Sequence, residues 1–442
     1  MADTPLIQAY RRLERAYPIT EDPSFARLVV PNGNANEPVH RWFHLKEAYS
    51  VDLVPTAIAR WSAARDEGAF LDPFAGVGTG ALVAAEEGPA KTGFTLAYGI
   101  EANPFLHFVA ETKARARTEG ATGLTELARD AVRLVEAGSV EPGPTPGLSS
   151  FANSAFFPPA DLRRLLQLRS AVDLIGGSSA ARDVARLCLA ASVEPASFLR
   201  RDGRALRYEP RKTRVDPVAE FQRRVERAAA DVAHQANAAP VKILLGDGRR
   251  AGSVVPARTM ISASVFSPPY LNNIDYTEVY KLEGWFLGFY AGQSEFREQR
   301  LRTVRSHPSV RFPNIYRASA NGHGAEFERL LLPLLSAIPA DRYRVWRGPL
   351  FRGYFDDMFE TLLSLRAMSL PDSLVVYVVG NSLHGSNGTS LLVAADLIMA
   401  RLAELAGFEV VELVVGRRPG RKRVDEQLLR ESVVALKPRL TG

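Results

Sequence analysis

The chain has 442 residues, enough for roughly two to three domains or for one domain carrying a long insertion. With 46% hydrophobic and 24% charged residues it is neither a disordered nor a low-complexity chain, and a single cysteine excludes an intramolecular disulfide. The net charge of +6 favours polyanionic partners only weakly, since the arginines are scattered along the chain as the base composition of a genome would scatter them.

The N-terminus has no signal-like apolar run, and no long uncharged segment follows that could span a membrane, so a cytoplasmic location with no membrane partner is expected. The first informative stretch runs from Phe70 to Gly80. A buried strand, Ala69 to Phe74, breaks into a turn containing Gly76, Gly78 and Gly80, and a helix begins near Thr79. Glycines keep side chains out of such a turn, and a helix start offers free amide groups, so Asp72, Pro73, Phe74, Ala75, Gly76, Gly78 and Thr79 are candidates for holding a nucleotide-like cofactor. The next strand, Leu96 to Glu101, ends in a carboxylate placed to accept from both hydroxyls of a ribose; the alternative is a glutamate at the start of the helix near Asn103.

From 104 to 240 the pattern becomes helical, broken by Gly-Pro-Thr-Pro-Gly at 143 to 147 and Gly-Gly-Ser-Ser at 176 to 179. One crossover helix does not need so much chain, so this stretch reads as a helical insertion between catalytic parts at 1–103 and 241–442. Within it, Cys188 has apolar helical surroundings and is expected in a core, and Glu111-Thr112-Lys113 reads as a charged helix face. Arg200, Arg201 and Arg204 head a basic cluster suited either to phosphate contacts or to a solvated surface.

Strands resume at Val241 to Asp247, where Asp247 either accepts from the amino group of an adenine or forms a plain Asp-Gly turn. The strand Ile261 to Ser267 runs into Ser267-Pro268-Pro269-Tyr270. The aromatics that follow, Tyr280, Trp285, Phe286 and Phe289, have the spacing of helix packing, so only Asp275 and Tyr276 are expected near a pocket. Arg297, Arg300, Arg302 and Arg305 form a second basic cluster, and His307, His323 and His384 show no metal-site spacing. A strand at Leu374 to Asn381 precedes two more, Gly407 to Gly416 and Ser432 to Lys437, whose connection carries Arg417, Arg418, Arg421, Lys422 and Arg423. The alternation of strands and helices predicts an α/β fold: a mostly parallel sheet closed by a C-terminal antiparallel hairpin, with ligands at the carboxyl ends of the strands.

Ser267-Pro268-Pro269-Tyr270, together with Asp72, Phe74, Gly76 and Gly78, resembles the signatures of the S-adenosylmethionine-dependent DNA amino-methyltransferases, which methylate N4 of cytosine or N6 of adenine. The segment His40 to Ser50 is similar to the part of that family flanking the methionine end of the cofactor. The resemblance implies a Rossmann-like class I methyltransferase fold, S-adenosylmethionine as methyl donor and DNA as partner, with a restriction nuclease as a possible companion. It further implies that Ser267 and the carbonyl of Pro268 accept the two amine hydrogens, while Pro269 stiffens the loop and Tyr270 stacks on a flipped base. A leading serine with Asp275-Tyr276 behind it looks more like the cytosine-N4 subgroup than the adenine-N6 subgroup. Methylation of a ring carbon would need a cysteine beside the base, and Cys188 lies in the insertion. The basic insertion, or the segment from Ala291 to Arg352, is then expected to recognise the target.

Overall fold

In the computed structural model the described residues are 4–62, 68–86, 94–202, 205–233, 239–272, 274–320, 322–341, 343–385, 390–419 and 427–439. Arg204, Arg421, Lys422 and Arg423 lie outside them.

In chain order the strands are β1 (Ile19–Glu21), β2 (Ala69–Asp72), β3 (Ala97–Glu101), β4 (Leu199–Arg201), β5 (Leu206–Tyr208), β6 (Val241–Leu245), β7 (Ile261–Phe266), β8 (Ser369–Gly380), β9 (Ser382–His384), β10 (Leu391–Val393), β11 (Phe408–Arg417) and β12 (Glu431–Pro438). Eight of them form one sheet in the order β1-β11-β12-β8-β7-β2-β3-β6. From β6 to β8 all neighbours run parallel, whereas β12 is antiparallel to both β8 and β11. This is the Rossmann-like α/β architecture expected of a class I methyltransferase. The hairpin expected at the C-terminus forms, but its second strand turns inward and fills the gap between β8 and β11. Strand β1, which lies parallel to β11, was not anticipated.

The central strands are buried on both faces, as parallel strands covered by helices must be: every residue of β2 and β7 is buried. Along β8 the side chains alternate. Val375, Tyr377 and Val379 enter one core with the helices Arg344–Met368 and Ala395–Leu405, while Val376 and Val378 enter another with the helices Leu53–Trp61 and Thr79–Glu86. A third core gathers the helices between β3 and β6, with Trp285 and Phe286 packed into it. Those aromatics therefore do pack helices, and Cys188, 2% exposed, is in the same core.

Between 104 and 240 the helix Pro104–Glu119 stands apart from the rest. Asn103 Oδ1 caps its first turn, accepting from the backbone N–H of Phe105 and Leu106 at 2.9 and 3.3 Å, and its residues Ala110 and Ala114 belong to the core under the sheet. It therefore serves also as the crossover helix between β3 and β6. Lys113 is not on a charged helix face; it is fully buried, and its Nζ donates to the carbonyl oxygens of His40 and Phe43, each at 3.3 Å. Burial lowers its pKa to about 7.

Candidate active site

The chain runs from β2 outward through β3 to β6, then returns to lay β7 on the other side of β2. The carboxyl ends of β2 and β7 thus flank the point where the winding reverses, the place where open α/β sheets leave a crevice for ligands. A cavity of about 310 Å³ opens there. Its wall contains Asp72, Pro73, Phe74, Ala75, Gly76 and Thr79 after β2, Glu101 after β3, Asp247 after β6, and Ser267, Pro268, Pro269 and Tyr270 after β7. Tyr276 also lines it. The glycine turn and the Ser-Pro-Pro-Tyr loop therefore share one space.

Local conformation explains the glycines. Gly76 and Gly78 hold φ of 54° and 87°, in the left-handed region that side chains disfavour. Gly78 does not reach the cavity; a Cβ there would lie 3.1 Å from the Cβ of Ala110, so its role is close packing against the helix Pro104–Glu119. At Gly248 a Cβ would stand 1.8 Å from the carbonyl oxygen of Pro73, so the loop after β6 lies directly against the turn after β2.

Two buried carboxyls sit on this wall. Asp72 Oδ1 accepts from the backbone N–H of Phe74 at 3.0 Å and Oδ2 from the hydroxyl of Tyr49 at 2.9 Å. Glu101 Oε2 accepts from Gly76 N–H at 2.8 Å and Oε1 from Asn103 N–H at 2.7 Å. Burial raises the pKa of each to about 7, with the hydrogen bonds opposing it only in part. Each oxygen of Glu101 keeps a lone pair after accepting one backbone bond, so the carboxylate can still take two hydroxyl hydrogens. Asp247 is less open than the sequence suggested, because Arg249 reaches both of its oxygens, through Nε at 2.8 Å and Nη2 at 2.9 Å, and continues to Asp357 at 2.9 Å.

The Ser-Pro-Pro-Tyr loop is held from two sides. Tyr270 N–H donates to the hydroxyl oxygen of Tyr276 at 3.2 Å, and Tyr270 Oη donates to Glu431 Oε1 at 2.8 Å. The ring of Tyr270 lies against Gly380 at the end of β8, where a Cβ would be 3.0 Å from two ring carbons. Ser267 Oγ makes only long contacts, 3.4 Å to Tyr270 Oη and 3.5 Å to the carbonyl oxygen of Val378.

The remaining candidates stand elsewhere. Asp275 is buried but absent from the cavity wall; it caps the turn Tyr276–Val279 and accepts from Arg300 Nε at 2.7 Å. Arg201 on β4 forms an ion pair with buried Glu283 and lies 5.0 Å over the ring of Tyr280, so its guanidinium is committed within the helical part. Arg200 is exposed and pairs with Glu209 at 3.3 Å. Neither arginine is on the cavity wall.

Sequence reasoning missed several wall residues. Glu47 and Tyr49 lie inside the His40 to Ser50 segment, which was legible only as a segment. Tyr280 was assigned to helix packing, yet it lines the cavity and donates its hydroxyl to Glu47 at 2.6 Å. His307 carried no spacing signal and Glu431 starts a C-terminal strand, so nothing local marks these two, whereas Arg417 belongs to a basic cluster that the sequence did single out, for phosphate contacts.

No family model matches the chain. It is similar to the type II methyltransferase M.AvaI of Nostoc sp., at 24% identity over 432 residues covering 89% of this chain and 84% of that protein. The same figures hold for M.AvaI of Anabaena variabilis. It is also similar to the type II methyltransferase M.BsoBI of Geobacillus stearothermophilus, at 23% identity over 482 residues covering 96% of this chain and 89% of the relative. Over most of its length, therefore, the chain is a distant homologue of type II methyltransferases.

Proposed function

We propose that this protein is a site-specific DNA methyltransferase that moves a methyl group from S-adenosylmethionine to the exocyclic N4 amine of cytosine. The observation that carries the reading is the single cavity shared by the cofactor turn and the Ser267 to Tyr270 loop. The wall suits the donor: a turn free of Cβ atoms at Gly76, a glycine at 248 where any side chain would strike Pro73, and Glu101 with lone pairs left for a ribose. When bound, S-adenosylmethionine supplies a methyl on a sulfonium whose carbon–sulfur bond breaks with its electron pair left on sulfur.

The protein's own task is to make a poor nucleophile reactive. The lone pair of an exocyclic amine is delocalised into the ring, and it becomes available when both amine hydrogens are drawn to acceptors outside the ring's conjugation. Ser267 Oγ and the Pro268 carbonyl oxygen are such acceptors, placed by a loop stiffened by two prolines. Tyr270 and Tyr276 offer aromatic surface to a base removed from its stack. DNA is the partner in this reading, its relatives' type II designation makes a cognate restriction nuclease the natural companion, and the segment from 291 to 352, which supplies His307 to the wall, is a candidate for target recognition.

Expression in a host whose DNA carries neither modification, followed by digestion to nucleosides and mass measurement, tests the reading. N4-methylcytosine is expected. N6-methyladenine in its place would move the target to adenine, and neither would reject the reaction on DNA. Ser267→Ala should lower methyl transfer roughly 10²- to 10³-fold while cofactor affinity persists; transfer at the wild-type rate would remove Ser267 from the chemistry.

A further inference from the structure

Glu431 is the first residue of β12, and the antiparallel register pairs it with Gly380 at the last position of β8. A strand from the distant end of the chain thereby delivers a carboxylate, 5% exposed, to the wall beside Ser267. Its neighbours fix it in place. Arg430 donates to Asp396 at 2.7 Å and to Glu14 at 2.7 Å, and Ser432 donates to Asp396 at 2.9 Å. Arg417, from the end of β11, pairs with Glu431 Oε2, while Oε1 accepts the hydroxyl proton of Tyr270 at 2.8 Å.

The direction of these bonds has a chemical consequence. A phenol has one proton, and that of Tyr270 is given to Glu431, so toward Ser267 the tyrosine oxygen can only accept. Ser267 Oγ, 3.4 Å away, then turns its own proton to Tyr270 and leaves lone pairs for an incoming amine hydrogen. The separation is long against the usual O–H···O distance of about 2.7–2.8 Å, and catalytic hydrogen bonds of this kind shorten when substrate arrives. The Val378 carbonyl oxygen, 3.5 Å from Ser267 Oγ, is the other acceptor within reach of the serine proton, and Tyr270 is the one that links it onward to a carboxylate.

We propose that Glu431 is a positioning residue for the transfer proposed above, acting through Tyr270. It orients the tyrosine hydroxyl, which orients Ser267 as an acceptor, and the chain Ser267–Tyr270–Glu431 carries away the proton that the amine nitrogen must lose. As nitrogen gains its bond to carbon, its proton passes to Ser267 Oγ, the serine proton to Tyr270 Oη and the tyrosine proton to Glu431, so each hydroxyl ends neutral and the carboxylate becomes a carboxylic acid. Tyr270 therefore contributes a hydroxyl as well as a ring.

A double-mutant cycle with Tyr270→Phe and Glu431→Gln tests this, because phenylalanine keeps the ring and glutamine keeps the size. Each single variant should lose roughly 10²-fold in kcat, with Kd for cofactor and for duplex DNA within about twofold of wild type, and the double variant should be no slower than either single. Unfolding free energies of the same four proteins, without ligand, should also be non-additive, which reports the bond independently of turnover. Full activity in Tyr270→Phe, or losses that multiply in the double variant, would overturn the chain. Wild-type protein that transfers no methyl to any DNA would instead defeat the underlying reading, and this inference with it.

Discussion

Asp72 and Glu101 end adjacent strands, and both carboxyls are buried with pKa raised to about 7. The sign of the effect on stability follows from linkage. Below about pH 4 both the folded and unfolded forms hold these protons; between there and pH 7 the unfolded chain releases them first, so the unfolded state binds fewer protons and stability falls as pH rises. Above pH 7 the loss is complete, about 3 kcal/mol for Glu101 at roughly 1.4 kcal/mol per unit. Urea unfolding across pH 4.5 to 8 should show this decline, and Glu101→Gln should flatten it. A ligand that donates hydroxyl hydrogens to Glu101 favours the ionised form, so cofactor affinity should weaken below pH 7 in the wild type and lose that dependence in Glu101→Gln. Equal pH profiles in titration calorimetry of the two proteins would place the ribose elsewhere.

At the scale of elements, the wall is assembled from strand ends that touch. The loop after β6 presses on the turn after β2 through Gly248, with no room for a methyl group against the Pro73 carbonyl. Gly248→Ala must therefore separate the two, and cofactor Kd is expected to rise about tenfold or more; unchanged affinity would mean the turn tolerates the shift. The strands at these ends were legible because runs rich in β-branched residues, such as Ile261–Phe266, announce buried parallel strands. The candidate residues that line the cavity at these ends were legible because they follow such runs directly. Short β1 was not, having three residues and no apolar run of its own. Glu431 was equally silent: its sequence neighbours describe a strand start, and only the insertion of β12 beside β8 gives it Tyr270 as a partner. Asp275 failed for the opposite reason, since proximity in sequence to the loop did not bring it to the wall and Arg300 took it instead.

Across the whole molecule, the helices between β3 and β6 are tied to the cavity by a strap. Asp231, on the helix Pro217–Ala233, accepts from the backbone N–H of Val39 at 3.0 Å, from Trp42 Nε1 at 2.8 Å and from Arg41, while Lys113 holds the carbonyls of His40 and Phe43. A few residues on, Leu45 to Tyr49 line the cavity, and Tyr49 bonds Asp72. Asp231→Ala leaves these donors unmatched and should loosen the strap, lowering cofactor affinity on the order of tenfold without touching the wall. Binding as tight as wild type would show that the two parts act independently.

The position of β12 bears on how the protein comes into being. Every other strand of the sheet precedes it in the chain, and β8 and β11 meet only through it. The sheet therefore stays in two unjoined parts until β12 slides between them, and because Glu431 travels on that strand, the step that joins the parts also brings the carboxylate to the cavity wall.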